Sequence, residues 1–383
     1  MPLVTRRQFL KGVAGGACAI ALSRIPFTVA DWDLFGEEKA FAGVPELSQV
    51  EAKYYQRLPH QEVECQLCPR RCWVGDLERG YCGVRENRGG IYYTLVHSRP
   101  AALNIDPIEK KPFFHFLPST MAFSLGTAGC NLQCKFCQNW EISQVRPEQV
   151  QNVHLPPEAI VSEAQKAACT SIAYTYSEPI IFYEYMLDSA RLAKKKGIKS
   201  VVVTNGFINR EPLLELCRQV DAIKVDLKGF TPRYYQEFCR GELKPVLESL
   251  KVLQRAGVWH EIVYLQVPTL NDQEGPIRQM CLWIKEELSA DVPLHFTRFH
   301  PMYLLKNLPP TPVPSLERSR QIALDAGLRF VYLGNVPGHE GENTYCPRCR
   351  KTLIRRLGYS IRENNLRKGA CQFCGEKIPG VWA

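Results

Sequence analysis

Three cysteines on one short loop, Cys130, Cys134 and Cys137 in the spacing C-x3-C-x2-C, constrain this chain more than any other feature. Three thiolates so placed bind three irons of a cubane and leave the fourth iron without a protein ligand; ferredoxins supply a fourth cysteine instead. A metal with an open position can bind and act on something. The competing reading is a structural zinc site completed by His115 or His154. The chain holds 16 cysteines, and eleven of them fall into three tight groups. Gaps of two or three residues suit thiolates converging on metal better than bridges between distant strands. Cys18, Cys169, Cys217, Cys239 and Cys281 stand alone in apolar or helical stretches and read as buried filler.

The other two groups flank the loop. Cys65, Cys68, Cys72 and Cys82 lie within eighteen residues and suit Zn2+ or an auxiliary Fe–S cluster. Cys346, Cys349, Cys371 and Cys374 form C-x2-C-x21-C-x2-C, close to zinc-ribbon spacing, and so small a module needs a metal staple to fold. The formal charge of +9 concentrates there. Between Cys346 and Lys377, nine Lys/Arg face only Glu363 and Glu376. That surface is either a solvated face or a docking site for an acidic partner or RNA.

Between the flanking groups, short apolar runs (122–125, 171–176, 200–204, 222–226, 261–267, 293–299, 330–333) alternate with helical patterns (157–168, 180–196, 212–217, 244–256, 277–288, 315–326). Gly197, Gly257 and Gly327 follow helices where a left-handed cap is expected. Such alternation predicts an α/β fold with a parallel sheet, whose functional residues gather at the carboxyl ends of the strands. We take it as a partial (β/α)6 TIM-like barrel. The expected organisation is a leader at 1–42, a Cys-rich module at 43–115, a core at 116–340 and a zinc-ribbon-like module at 341–383.

The leader pairs Arg6-Arg7 with a short apolar run, as a twin-arginine export signal does, with a cleavage site at Ala40-Phe41-Ala42 or Thr28-Val29-Ala30. An amphipathic amino-terminal helix is the rival reading. Export or membrane association conflicts with chemistry that draws on cytosolic resources.

The residues Gly126 to Cys137 resemble the signature of the radical S-adenosylmethionine (SAM) superfamily. The resemblance implies a 4Fe–4S cluster whose open iron chelates SAM, an electron donor of the flavodoxin or ferredoxin type, and cleavage to a 5′-deoxyadenosyl radical that abstracts hydrogen. Further positions are similar to the pyruvate formate-lyase activating enzyme branch. Ser177-Glu178-Pro179 stands where that branch has a Gly-Gly-Glu-Pro turn at the SAM amino group. Thr204, Asn205, Asp226 and Lys228 correspond to segments around the SAM carboxylate, where Val203 replaces an aspartate associated with a cation. Phe136 corresponds to the aromatic beside adenine, and Phe299-His300 to a Tyr-His pair at the adenosyl end. From about Val63 onward the chain resembles the AmmeMemoRadiSam-system enzymes, through Asp106 to Phe116, Cys137-Gln138-Asn139 and the tail from Tyr345 to Trp382. That implies companion proteins but no settled substrate. The function expected is activase-like hydrogen abstraction from a macromolecular or partner-bound substrate. The alternatives are a nucleic-acid-modifying radical enzyme and a non-enzymatic multi-cluster electron carrier. His115 reads as a packed histidine more readily than as a substrate contact.

Overall fold

The computed structural model describes residues 47–382, so the leader and Cys18 lie outside the described residues. Eight strands make the central sheet: β1 (Ala102–Pro107), β2 (Met121–Gly126), β3 (Ser171–Tyr174), β4 (Lys199–Thr204), β5 (Ala222–Asp226), β6 (Trp259–Gln266), β7 (Leu294–Arg298) and β8 (Val331–Gly334). The main helices are α1 (Pro157–Lys166), α2 (Tyr183–Lys195), α3 (Arg210–Cys217), α4 (Leu243–Ala256), α5 (Glu274–Glu287) and α6 (Val313–Asp325). One follows each strand from β2 to β7. Neighbours in the sheet are neighbours in the chain, from β1 to β8 in order. A doubly wound sheet reverses direction part-way, and this one does not. All pairs are parallel except β1 with β2, where Ala102 faces Gly126 in antiparallel register. Every predicted strand and helix is present; β1 is additional.

Local chemistry accounts for the elements. Helix α4 buries Leu243, Val246, Leu250 and Leu253, one stripe at alternating three- and four-residue spacing. It stops at Gly257, whose φ of 70° suits a residue without Cβ. Gly197 and Gly327 share that left-handed conformation. The strands carry runs of fully buried side chains, as β3 does throughout, because both faces are covered.

The amino end of the sheet is plugged. Ala122, Ala173 and Ala222 near the strand starts leave room for Phe113 and Phe116, which pack there with Ile108 and Leu117. Glu261 secures the plug: its carboxylate accepts from the backbone N–H of Phe114 at 3.0 Å and of His115 at 2.9 Å. It is fully buried, which alone would raise its pKa, but His295 Nε2 at 2.7 Å brings it below the ordinary range.

Two small modules complete the described residues. The amino-terminal one has two three-stranded antiparallel sheets, Tyr55–Arg57 with Val63–Cys65 and Trp73–Val74, and Val50–Glu51 with Ile91–Thr94 and Arg85–Arg88. In the carboxyl-terminal one Thr344–Tyr345, Thr352–Leu357 and Ser360–Asn364 pair antiparallel. Its core of Cys346, Leu353, Ile354, Cys371 and Ile378 packs on Phe114, Phe330 and Tyr332. Among the described residues no helix is long and apolar enough to cross a membrane.

Candidate functional site

Loops at the carboxyl ends of β2 to β5 converge on one cavity of about 390 Å³. Its lining includes Cys130, Cys134, Cys137, Phe136, Glu178, Thr204, Asn205, Asp226 and Lys228. These residues are scattered over about a hundred positions and meet because each follows, or ends, a parallel strand. His300 lies outside the lining and is exposed, while Phe299 is buried. The pair therefore does not complete the cavity in this structure.

The cysteine loop is held from both sides. Gln133 N–H donates to Cys239 O and Lys135 N–H to Phe238 O, both at 2.9 Å. Leu132 N–H points at Cys130 Sγ at 3.4 Å, and Ser143 Oγ lies 3.1 Å from Cys137 Sγ. Asn131 accepts from Asn205 Nδ2 at 2.8 Å and donates to Phe207 O at 2.8 Å, tying the loop to the β4 end.

Opposite charges face one another across the cavity. Glu178 is buried and accepts from Thr204 Oγ1 at 2.5 Å, Asn205 N–H at 2.8 Å and Ile180 N–H at 3.2 Å. Burial nevertheless pushes its pKa up to about 7, because three neutral donors do not replace bulk water. Ser177 Oγ is buried beside it with no hydrogen-bond partner, and Glu109 Oε2 is likewise unpartnered in the lining. Asp226 sits between Lys224 and Lys228, bonded to both, with Lys228 Nζ at 2.9 Å. Burial works against its charge, but the two ammonium groups hold its pKa down at about 2. Lys228 is raised despite burial, chiefly by Asp226. Two lysines against one aspartate leave one positive charge facing Glu178.

Sequence reading missed a second polar set in the lining. Lys111, 3% exposed, donates to Asp106 and lies 3.3 Å from Tyr176 OH, which itself donates to Asp106 Oδ2 at 2.7 Å. Burial brings Lys111 down to about 8 in spite of Asp106. Its sequence signals are the charged triplet Glu109 to Lys111 ahead of the Phe113–Phe116 run and the family resemblance of the segment from Asp106 to Phe116, neither of which pairs it with Tyr176. Gly358 and Tyr359, at the turn of the carboxyl-terminal hairpin, also line the cavity. His115 does not: it is fully buried, with Nδ1 at 2.7 Å from Pro379 O and Nε2 at 2.5 Å from Tyr332 OH, and burial lowers its pKa to about 4. His154 is exposed and outside the lining, so neither histidine joins the three cysteines.

In the carboxyl-terminal module the four sulfurs all lie within 4.8 Å of one another, a set able to hold one metal ion. Cys346 and Cys374 approach to 3.6 Å and Cys349 and Cys371 to 3.7 Å. The charge expectation needs correction at Arg356. It is 3% exposed and donates to Phe114 O, Glu342 O and Thr344 Oγ1, so it anchors the module and meets no partner. Arg355 is exposed and paired with Glu363 at 3.3 Å. Arg348, Arg350, Lys351, Arg362, Arg367, Lys368 and Lys377 remain as an exposed basic face, with Tyr359 and Phe373 exposed among them.

Comparison with known proteins follows the same lines. The Radical SAM superfamily profile matches residues 124–280, from β2 into α5. The chain is 44% identical over 330 residues to an uncharacterized protein of Methanocaldococcus jannaschii, covering 86% of this chain and 98% of that one. It is 26% identical over 157 residues to the pyruvate formate-lyase 1-activating enzyme of Escherichia coli K12, covering 40% of this chain and 63% of that enzyme. Among solved structures, a radical SAM methyltransferase from Sphaerobacter thermophilus aligns with TM-score 0.46 at 16% identity, over 59% of this chain and 71% of that one.

Proposed function

The chain belongs to the radical SAM superfamily and is an enzyme of it; from that premise we propose that it abstracts hydrogen from a macromolecular or partner-held substrate, in the manner of the activases. The observation that carries this reading is the shared cavity, where the three cysteines of one loop meet Glu178, Thr204, Asn205 and Lys228. The residues fit the cofactors. Three thiols on one loop suit a 4Fe–4S cluster with one open iron. The unsatisfied Ser177 Oγ and the carboxyl of Glu178 suit the SAM amino group, and the positive charge at Lys228 suits its carboxylate. When bound and reduced by a flavodoxin- or ferredoxin-type donor, the cluster supplies the electron that cleaves SAM to a 5′-deoxyadenosyl radical. The protein's own work is to fix SAM between Glu178 and Lys228, to set Phe136 along the lining, and to keep water out beneath the Gly358–Tyr359 turn.

The consecutive strand order supports reading the core as a partial (β/α)6 barrel closed at its amino end by the Phe113–Phe116 plug. The spacing of the four carboxyl-terminal sulfurs supports zinc: bonds of about 2.3 Å in a tetrahedron put sulfurs about 3.8 Å apart. Nucleic-acid modification is the second reading, favoured by the exposed basic face with Tyr359 and Phe373 among its charges.

The test is turnover. Anaerobically reconstituted, reduced protein should yield 5′-deoxyadenosine and methionine from SAM. Cys134→Ala should abolish both products together with the SAM-dependent change in the cluster's spectrum. Full product formation by that variant would sink the reading, and no turnover by an iron-loaded wild type would leave an electron carrier.

A further inference from the structure

The four amino-terminal cysteines do not stand apart from the central loop. Gly129, next to Cys130, has a φ of +92°, and a Cβ added there would lie 2.7 Å from Cys82 O and 2.6 Å from Val84 Cγ1. Only glycine permits that approach. Cys82 and Cys130 line one cleft of about 820 Å³. Arg70, two residues after Cys68, donates to Asn131 O at 2.7 Å and stacks 3.4 Å from the Tyr81 ring centroid. The turn between Cys65 and Cys68 is bound to the loop after β4: Asn209 donates to Leu67 O at 3.1 Å and to Gln66 O at 2.7 Å. Both ends of the four-cysteine segment thus touch elements that carry the central site.

The backbone gathers the four: Cys65 N–H donates to Cys72 O at 2.9 Å, Cys68 sits between them, and Cys82 follows Tyr81, which contacts Cys72, with Cys65 and Cys68 buried. Tyr81 N–H donates to Cys72 Sγ at 3.4 Å, the kind of bond that tunes a sulfur ligand. Their spread sets them apart from the carboxyl-terminal set. Four thiolates on a single ion must crowd together, as Cys346, Cys349, Cys371 and Cys374 do within 4.8 Å. Among the described residues no other cysteine group converges so closely. Thiolates bound to separate irons of a cubane stand farther apart, and among the described residues neither the amino-terminal four nor the central three show the closer, single-ion spacing.

We propose that Cys65, Cys68, Cys72 and Cys82 ligate a second four-iron cluster, adjacent to the one at Cys130, Cys134 and Cys137, and do not hold zinc. The inference rests on the central loop being a cluster site, and metal counting separates failure of one from failure of the other. Full-length wild type, reconstituted anaerobically, should carry about eight irons, about eight sulfides and about one zinc per chain. A Cys130→Ala, Cys134→Ala, Cys137→Ala variant should keep about four irons with four-iron Mössbauer parameters, and should show no SAM-dependent signal. If that variant holds no iron and about two zinc ions, the proposal is overturned. If wild type holds only about four irons and the variant retains them, the second cluster stands and the reading of the central loop fails. Should the triple variant not fold, Cys65→Ser with Cys68→Ser gives the reciprocal count. Iron should halve while the SAM-dependent signal persists, and an undiminished iron content overturns the proposal.

Discussion

Replacing Arg356 with methionine tests how the carboxyl-terminal module is attached. The side chain is 3% exposed, and its guanidinium donates to Phe114 O at 2.9 Å, Glu342 O at 3.0 Å and Thr344 Oγ1 at 2.8 Å, lying 4.0 Å over the Phe114 ring. Methionine fills similar space but takes the guanidinium from two carbonyls, while the Thr344 hydroxyl keeps Tyr332 OH at 3.0 Å. A buried group left unsatisfied costs about 1–3 kcal/mol. Relief of a desolvated cation, with no carboxylate in direct contact, offsets part of the sum. A net loss of about 3 kcal/mol is expected, a large fraction of the roughly 5–15 kcal/mol that holds a domain. Arg356→Lys should recover less than half of it, because one ammonium cannot span three acceptors laid out for a planar fork. Arg355→Met is the control: its exposed pair with Glu363 is worth at most about 1 kcal/mol. Urea unfolding of the metal-loaded protein, followed by tryptophan fluorescence, reads the difference, since Trp382 packs against this core. Equal midpoints for the two methionine variants would refute the anchoring argument.

Glu178 and the leader supply the other predictions. The Glu178 pKa is raised from 4.5 to about 7 on folding, so its contribution to stability is complete below pH 4.5 and is lost as pH rises through 7. SAM-free protein should lose about 3 kcal/mol across that window, and Glu178→Gln should flatten the dependence while weakening SAM binding at least tenfold. An identical pH slope in the variant would mean that Glu178 titrates as an ordinary carboxyl. We also propose that Arg6-Arg7 directs export. A fusion of residues 1–50 to a reporter that folds in the cytoplasm should cross the membrane, and Arg6→Lys with Arg7→Lys should block it; a fusion that stays cytosolic refutes export.

What the sequence disclosed was whatever is local. A three-cysteine loop, a helix stripe such as Leu243 to Leu253 and a glycine after a helix are each written within a few residues, so their spacing is enough. Strand β1 escaped because Asn104 and Asp106 interrupt its apolar residues and Pro107 ends it. Its place in the sheet depends on pairing with β2, not on its own pattern. Arg356 escaped for a related reason. Its partner Phe114 lies 242 positions away, and nothing near Arg356 distinguishes it from exposed Arg355. Lys111, Asp106 and Tyr176 were likewise invisible as a set, since Tyr176 joins them only when β3 lies beside β2. At the cavity, Glu178, Thr204 and Asn205 were legible as strand-end residues, whereas the exposure of His300 depends on how the chain leaves β7.

These long-range contacts make the cavity a property of the core and the carboxyl-terminal module together. Its walls come from strand-end loops, but its shape near Tyr359 depends on a hairpin whose core is Cys346, Leu353, Ile354 and Cys371. That core reaches the sheet through Arg356, which bonds to Phe114, and Phe114 N–H is in turn held by Glu261 of β6. Four sulfurs within 4.8 Å organise the start of this path, and a buried carboxylate with two histidine-bearing neighbours closes it. A packed interior of this kind shifts between discrete arrangements and does not deform smoothly. Loosening the carboxyl-terminal module therefore reaches the cavity without touching any of the three cysteines that line it.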